Sequence, residues 1–124
     1  MYITCFHDYN VCMSSSDIDR KIAVIFVTDL VGYSKHMEKD ENATLRGLRE
    51  CNKIIEPLIK KQKGRIFNTG GDSVFAEFPS AVAAVDMAVE FQKQIKARNG
   101  KDTTEVKLEY RIGINMGDVV KEGN

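Results

Sequence analysis

Two aspartates beside glycines are the residues of this 124-residue chain whose type and spacing suit chemistry. Asp29 lies two residues after an apolar run and three before Gly32, and Asp72 directly follows the pair Gly70 and Gly71. Carboxylate oxygens are hard donors of the kind that Mg²⁺ and Mn²⁺ prefer, with water or phosphate completing the octahedron. Taken singly, each aspartate is more often a turn or capping residue. A metal site therefore requires a fold that brings the two together.

Hydrophobic periodicity indicates the first elements that must position them. Residues 22–27 are a β-branched apolar run, which predicts a fully buried strand. Residues 43–63 have the apolar spacing of an amphipathic helix. Pro57 is expected to kink this helix or to begin a second segment, and Gly64 is expected to end it.

The second half of the chain continues with a hairpin, a helix and a strand. Residues 65–68 and 72–78 flank a double-glycine turn, which is typical of a β-hairpin. Ser80 is expected to cap a helix over residues 81–98, and residues 106–116 alternate as a long strand with one buried face. The inward residues predicted for this helix are Val82, Val85, Val89 and Phe91.

The resulting order is βαββαβ, the ferredoxin-like arrangement of an α+β fold. A right-handed crossover makes the first two strands parallel and leaves room for the third between them. The end of the first strand and the hairpin turn then lie at one edge of the sheet, where Asp29 and Asp72 come within reach of each other. The sequence therefore predicts a Mg²⁺ or Mn²⁺ site at that edge.

The residues after Asp29 suit a phosphate group. Gly32 allows the backbone to approach a ligand closely, and a helix beginning near Ser34 would direct its free N–H groups to the same edge. A triphosphate bridged to a metal fits such a place. A glycine in a strand-to-helix turn is usually only a turn, so this signal is weak by itself.

Composition and charge exclude several classes of protein. Eighteen basic and eighteen acidic residues with a pI near 6.7 argue against a general nucleic-acid binder. The apolar runs are shorter than the ~18 residues of a membrane helix, and the N-terminus lacks the pattern of a secretory signal. The odd count of three cysteines then favours free thiols in a reducing compartment, which predicts a cytoplasmic protein.

The N-terminal residues differ in composition from the rest. Residues 1–19 contain three aspartates and no lysine or arginine, and they show no periodicity of 2 or 3.6. Cys5, His7 and Cys12 match the spacing of no common zinc finger. We expect residues 1–19 to be a flexible leader and residues 20–124 to form one domain.

Three segments together resemble the catalytic domains of the class III adenylate/guanylate cyclases, in particular the soluble bacterial members. The segment VTDLVGYS at residues 27–34 is similar to the family's first metal motif, and GRIFNTGGDSVFAEF at residues 64–78 is similar to the second. YRIGINMGDV at residues 110–119 resembles the strand that follows the second helix. The resemblance covers residues 21–123, with the motifs in the family's order and spacing.

This resemblance implies an enzyme that cyclises ATP or GTP at a homodimer interface. Asp29 and Asp72 would hold two Mg²⁺ or Mn²⁺ ions, assisted by the carbonyl group of Leu30. One ion would help to activate the ribose 3′-hydroxyl and the other would neutralise the triphosphate. The substrate-binding residues implied are Leu30, Val31, Gly32, Tyr33, Ser34, Asn68 and Gly71.

Two departures from the family pattern affect these expectations. The position four residues before the second aspartate, usually lysine or glutamate, is Asn68, so the choice between ATP and GTP is open. The family's base-reading aspartate and its transition-state asparagine and arginine are expected beyond Asn124, which predicts a C-terminally truncated domain with no identified catalytic residue. Arg98 and Arg111 are expected to be poor substitutes, since one ends a helix and the other lies within a strand.

Three alternatives remain open. Residues 70–75 are similar to the signature of GGDEF-type diguanylate cyclases, but Ser73 replaces an acidic residue of that signature. An RNA-recognition module shares the βαββαβ frame, yet Phe75 lacks the basic partners that such modules need. A catalytically inactive cyclase-like domain that dimerises or binds nucleotide is the third alternative.

Overall fold

The computed structural model describes residues 2–7, 18–101 and 104–122. Within these residues the order of elements agrees with the predicted βαββαβ core, with a strand added before it and a short helix added after its first strand. The elements are β1 (Tyr2–His7), β2 (Ile18–Leu30), α1 (Tyr33–Lys39), α2 (Glu41–Lys61), β3 (Arg65–Gly70), β4 (Ser73–Phe78), α3 (Ala81–Asn99) and β5 (Tyr110–Glu122).

The strands form one sheet in the order β1-β5-β2-β4-β3. β4 pairs antiparallel with both β2 and β3, so β2 and β3 run parallel with β4 between them, as predicted. β5 pairs antiparallel with the other side of β2. The ferredoxin-like core expected from the sequence is therefore confirmed.

β1 lies at the edge of the sheet, within the segment expected to be a flexible leader. It pairs parallel with β5, from Tyr2 opposite Arg111 to His7 opposite Met116. This pairing is made by main-chain hydrogen bonds, which do not depend on the type of side chain. The six residues of β1 therefore show no hydrophobic periodicity from which a strand could be predicted. Residues 8–17, the remainder of that segment before β2, lie outside the described residues.

β2 and β5 form a thirteen-residue antiparallel ribbon that extends from Ile18 opposite Glu122 to Leu30 opposite Tyr110. The expectation that the last strand begins at residue 106 was wrong, because β5 begins at Tyr110. Side chains of α3 bind the preceding segment instead. Arg98 Nη1 donates to the carbonyl oxygen of Val106 over 3.0 Å, and Asn99 Nδ2 donates to that of Leu108 over 2.7 Å.

α2 runs without a break through Pro57, so the predicted second segment was wrong, while the kink stays a prediction. Proline has no N–H, which leaves the carbonyl group of Lys53 without its helical partner. Lys53 and Pro57 both lie on the exposed side, where water can bond to that carbonyl group. Ile55 and Ile59, each 1% exposed, anchor the helix on both sides of the proline.

α2 ends close to the predicted position, but Gly64 is not the residue whose backbone conformation ends it. The residue with a left-handed backbone is Lys63, at φ 59°. Its N–H donates to the Lys60 carbonyl oxygen over 3.0 Å, and the Gly64 N–H donates to that of Ile59 over 2.9 Å, which is a Schellman motif. Gly64 is required by packing, because a Cβ there would lie 2.6 Å from Cε1 of Phe78 and 2.9 Å from Cγ2 of Ile59.

α3 begins at the predicted cap, since Ser80 Oγ accepts the N–H of Ala83 over 3.1 Å. The expectation that Val82 and Val85 point inward was wrong, because they are 69% and 36% exposed. Val89 is half-buried and Phe91 is buried, in agreement with the prediction. Apolar residues occur all round this helix, so periodicity alone does not show which side is buried. The buried residues are Ala84, Met87, Ala88, Phe91, Ile95 and Arg98.

The two long helices cover one face of the sheet, and the core lies between them and that face. The described residues place no helix on the opposite face, which we call the open face. Its central side chains are half-buried or exposed and mostly apolar. They are Ile25 and Val27 of β2, Phe75 of β4 and Phe67 of β3.

The close contacts at Gly64 generate a stability prediction. Gly64→Ala should lower the free energy of unfolding by roughly 1–3 kcal/mol, because the added methyl group overlaps Phe78 and Ile59. Gly100→Ala is the matched control. Its backbone is right-handed and the nearest atoms to a Cβ are 3.6 Å away, so it should not destabilise the protein. Urea unfolding followed by circular dichroism measures both, and equal stability of Gly64→Ala and the parent would contradict the packing role.

Candidate functional site

Asp29 and Asp72 meet at one edge of the sheet. Asp29 is the penultimate residue of β2, and Asp72 lies in the turn between β3 and β4. The backbone N–H of Leu30 donates a 2.9 Å hydrogen bond to Asp72 Oδ2, although the two residues are 42 positions apart. The Asp72 carboxylate thus contacts Leu30, the residue that follows Asp29. Both aspartates are half-buried.

Arg111 is a third charged group at this edge, although the sequence predicted only a poor substitute for the family's arginine and no place at the site. The β2–β5 ladder places Arg111 opposite Asp29, and its Nε donates to Asp29 Oδ1 over 2.9 Å. The hydrogen bond and the charge of Asp29 raise the pKa of Arg111, and the charge of Asp72 raises it further. Its place within a strand is what brings it to the site, since side chains directly opposite each other have Cβ atoms about 4.5–5.5 Å apart.

The turn after β2 has the predicted form. Gly32 adopts a left-handed backbone at φ 68°, and α1 begins at Tyr33, one residue before the predicted Ser34. No side chain caps the N-terminus of α1. Val31 is held by the segment before β5, because its N–H donates to the carbonyl oxygen of Glu109 over 2.8 Å. The backbone of this turn thus begins at Leu30, whose N–H contacts the Asp72 carboxylate.

The hairpin turn contributes Gly71, whereas Asn68 lies apart. Gly71 has a left-handed backbone at φ 57°, and a Cβ there would lie 3.9 Å from the hydroxyl oxygen of Tyr33. Asn68 is exposed on the outer strand β3, opposite Phe75, next to a bulge. No hydrogen bond or ion pair of the described residues joins Asn68 to either aspartate.

The donor set at this edge suits a hard cation. One oxygen of each aspartate is engaged, Asp29 Oδ1 with Arg111 and Asp72 Oδ2 with Leu30. The other oxygen of each has no hydrogen-bond partner in the described part of the chain. The described residues hold no cluster of three or more His, Cys, Asp or Glu side chains placed for a metal ion. Two carboxylates with room for water or phosphate fit Mg²⁺ or Mn²⁺ better than the four-ligand pattern of structural zinc.

Space for a ligand lies beside the carboxylates. A cavity of about 390 Å³ opens next to Asp29 and Arg111, with Ile25, Val27 and Asn115 among its lining residues. These residues belong to β2 and β5, the two strands that carry the ion pair. A volume of this size is within the range of small-molecule sites.

Two titratable groups beneath the site remain protonated near neutral pH. Burial raises the pKa of the Cys51 thiol and raises the pKa of the Tyr110 hydroxyl. Neither group therefore provides a base for proton abstraction at neutral pH. The chemistry of this edge depends on the carboxylates, the guanidinium group and the backbone.

Comparison with known proteins decides the family. The sequence profile of the Adenylate and Guanylate cyclase catalytic domain matches residues 15–123, which is most of the chain. The chain belongs to this cyclase family. A candidate adenylate cyclase 3 from Rhizobium meliloti (strain 1021) is 38% identical over 111 residues, which cover 89% of this chain and 19% of that protein.

Solved structures of cyclase domains have the same fold. An adenylate/guanylate cyclase/hydrolase from Silicibacter pomeroyi is 34% identical with a TM-score of 0.75, and the match covers 86% of this chain and 62% of that chain. The adenylyl cyclase CyaB from P. aeruginosa is 28% identical with a TM-score of 0.73, over 83% of this chain and 59% of that one. The cyclase domain described here thus spans about three fifths of the solved chains. None of the helices in its described part has both the length and the hydrophobicity of a membrane span.

The ion pair at Asp29 generates a prediction about cation binding. Arg111→Gln should raise the affinity for Mn²⁺ alone several-fold, because it removes a positive charge that competes for Asp29 Oδ1. Arg65→Gln is the matched control, since it removes another exposed arginine whose Nε contacts a carboxylate over 2.9 Å, that of Glu77. Calorimetric titration with MnCl₂ measures both affinities. An unchanged or lower affinity in Arg111→Gln would show that the guanidinium group does not compete with the cation.

Proposed function

We propose that this domain converts ATP or GTP into a 3′,5′-cyclic nucleotide and pyrophosphate. One observation carries the proposal: the cyclase frame brings Asp29, Asp72 and Arg111 to a single edge of the sheet. The carboxylates are ligands for a divalent cation, and the guanidinium group is a donor for phosphate oxygens. The names of the relatives support the same activity, since they include an adenylyl cyclase and an adenylate/guanylate cyclase.

In this proposal Asp29 and Asp72 hold two Mg²⁺ or Mn²⁺ ions, with the carbonyl oxygen of Leu30 as a further ligand. Bound there, the ions would help to ionise the ribose 3′-hydroxyl and would neutralise charge on the triphosphate. The hydrogen bond from the Leu30 N–H orients the Asp72 carboxylate before any cation arrives. Preorganised ligands of this kind need no rearrangement during the reaction.

The chain's other groups would bind and orient the triphosphate. The Leu30 N–H contacts Asp72, Gly71 directly precedes Asp72 in the hairpin turn, and the left-handed Gly32 presents no side chain to an approaching phosphate. Arg111 keeps its charge at any physiological pH, as arginines do, and Asp29 raises its pKa further. Once a cation has taken Asp29, the same guanidinium group is available to donate to phosphate oxygens.

We propose that this part of the domain distinguishes only weakly between the adenine of ATP and the guanine of GTP. Asn68 has both a donor and an acceptor, so it does not distinguish adenine from guanine by charge as lysine or glutamate would. Its exposed position on β3 leaves it accessible to a base. We therefore expect a preference of less than about tenfold between ATP and GTP from this position alone.

We also propose that the domain works as a homodimer in the cytoplasm, where ATP and GTP are available. The open face supports the dimer, because its apolar centre is adjacent to the carboxylate edge. Phe67 is 45% exposed, and its ring centroid lies 6.2 Å from that of Phe75, which is paired with Val27 of β2. An apolar surface flanked by charged residues is typical of a protein–protein interface.

Calorimetry with nucleotide tests the proposed site. We expect Mn²⁺ to bind weakly alone and more tightly with ATP or GTP, and Asp72→Asn to weaken this joint binding at least about tenfold. The asparagine keeps an oxygen that can accept from the Leu30 N–H, so the turn should be preserved. Asp86→Asn is the control, because it removes an exposed carboxylate on α3 instead. Equal binding by the parent and Asp72→Asn would refute the metal assignment.

Cyclic nucleotide formation separates the enzyme from the catalytically inactive alternative. None of the described residues provides the transition-state asparagine and arginine that the family resemblance implies, and Arg98 is held in the core instead. We therefore expect the 124-residue polypeptide to bind metal and nucleotide without measurable turnover, and a chain that adds the family's asparagine and arginine segment to be active. Failure of that longer chain to produce cAMP or cGMP would favour an inactive regulatory or dimerisation domain.

A further inference from the structure

A groove lies between α1 and the segment that precedes β5. Its charged residues are not explained by the cation site proposed at Asp29 and Asp72. One wall is a continuous stripe of α1 and the start of α2, and the other is the segment before β5. The cavity between them measures about 560 Å³. Its lining residues are Gly32, Lys35, His36, Lys39, Asp40, Ala43, Thr44, Glu105, Val106 and Lys107.

Positive charge remains unpaired in this groove. Lys35 and Lys39 lie one helical turn apart on the first wall, and Lys107 lies on the second. None of the three forms an ion pair with another described residue. Like charges that converge across a cavity repel each other until an anion neutralises them.

The groove has two acidic groups, and each already accepts hydrogen bonds from the protein. Asp40 Oδ1 accepts the N–H of Ala43 over 3.0 Å as the cap of α2. Glu105 uses both carboxylate oxygens on Arg46, at 3.0–3.2 Å. Asp40 keeps its negative charge, but Glu105 is shared with Arg46, so the three lysines leave the local balance positive.

Both walls are fixed by hydrogen bonds. The Thr44 hydroxyl, on a residue that is 1% exposed, lies 2.7 Å from the carbonyl oxygen of Asp40 and 3.0 Å from that of His36. Arg98 holds the carbonyl oxygen of Val106 on the opposite wall. The walls of the groove are thus held in place, with exposed lysines on both of them.

We propose that this groove binds a small phosphate-bearing anion, with Lys35, Lys39 and Lys107 as its charged ligands. Lysine binds phosphate as a point charge, and its flexible stem lets groups on facing walls reach one anion. The volume is within the range of small-molecule sites. A groove with lysines on two facing walls favours a small ligand over an acidic polypeptide, for which a broad charged face such as the outer side of α2 would suffice.

The test uses inorganic tripolyphosphate as the probe, with EDTA present so that no cation occupies the carboxylate edge. His36 is a local reporter, since it lines the groove and is one of only two histidines in the chain. We expect tripolyphosphate to shift the His36 ring resonances in proton NMR and to bind in calorimetry with an affinity that falls as salt is added. The double variant Lys39→Gln, Lys107→Gln should bind at least about tenfold more weakly.

Two control variants and a second probe distinguish binding in the groove from binding elsewhere on the protein. The variant Lys53→Gln, Lys60→Gln removes the same charge from the exposed side of α2, and Arg111→Gln removes the cation of the carboxylate edge; both should bind tripolyphosphate like the parent. Equal weakening in the α2 variant would show only a general attraction, and loss of binding in Arg111→Gln would place the anion at the other site. A His36 shift with poly-glutamate but not with tripolyphosphate would also overturn the proposal, in favour of an acidic polypeptide partner.

Discussion

The antiparallel pairing of β2 with β5 is the constraint on which the site depends. Its register places Asp29 opposite Arg111 and Leu30 opposite Tyr110. A slip of one residue would move every side chain of the ribbon to the other face of the sheet. Phe26 on β2 is 0% exposed, and burying such a side chain contributes about 1.5–3 kcal/mol, so the core strongly disfavours the slip. Residues that touch no ligand thus determine where the charges of the site meet.

A buried arginine links the helices to the start of this ribbon. Arg98, only 7% exposed, donates to Glu50 Oε2 of α2 over 2.9 Å and to the carbonyl oxygen of Val106 over 3.0 Å. Gly47 leaves room for it, since a Cβ there would lie 3.2 Å from Arg98 Nη2 and 2.9 Å from Leu108 Cδ1. The Glu50 side chain is 60% exposed, so solvent screens this ion pair. The arginine's contribution is therefore chiefly to satisfy the carbonyl group of Val106 and so to hold the segment before β5.

The helix α1 is shared by the two sites proposed here. Tyr33 extends from it towards the hairpin turn, whereas Lys35, His36 and Lys39 line the anion groove. None of the residues of α1 is buried, so the helix is held by its ends and by the segments beside it. A ligand on either side would stabilise the same short helix, and any resulting effect of one ligand on the other must be reciprocal.

Local pattern and a general rule of chain topology were enough to predict much of this domain. The hairpin turn, the Ser80 cap and the approach of Asp29 to Asp72 follow from turn residues, capping chemistry and the right-handed crossover. The three segments that resemble a cyclase could also be found in the sequence, because each is a short run whose residue types are constrained together. These features depend on neighbours in the chain or on a rule that holds for almost all folds.

Other features were decided only by tertiary structure. β1 is held by main-chain bonds to β5, which leave no trace in side-chain periodicity, and Arg111 belongs to the site only because of a strand register. The buried side of α3 is chosen by what packs against it, so Val82 is exposed although its sequence context is as apolar as that of Ala84. α2 continues through Pro57 because buried residues on both sides outweigh one lost hydrogen bond. In each case the deciding energy comes from partners far away in the sequence, which a local pattern does not contain.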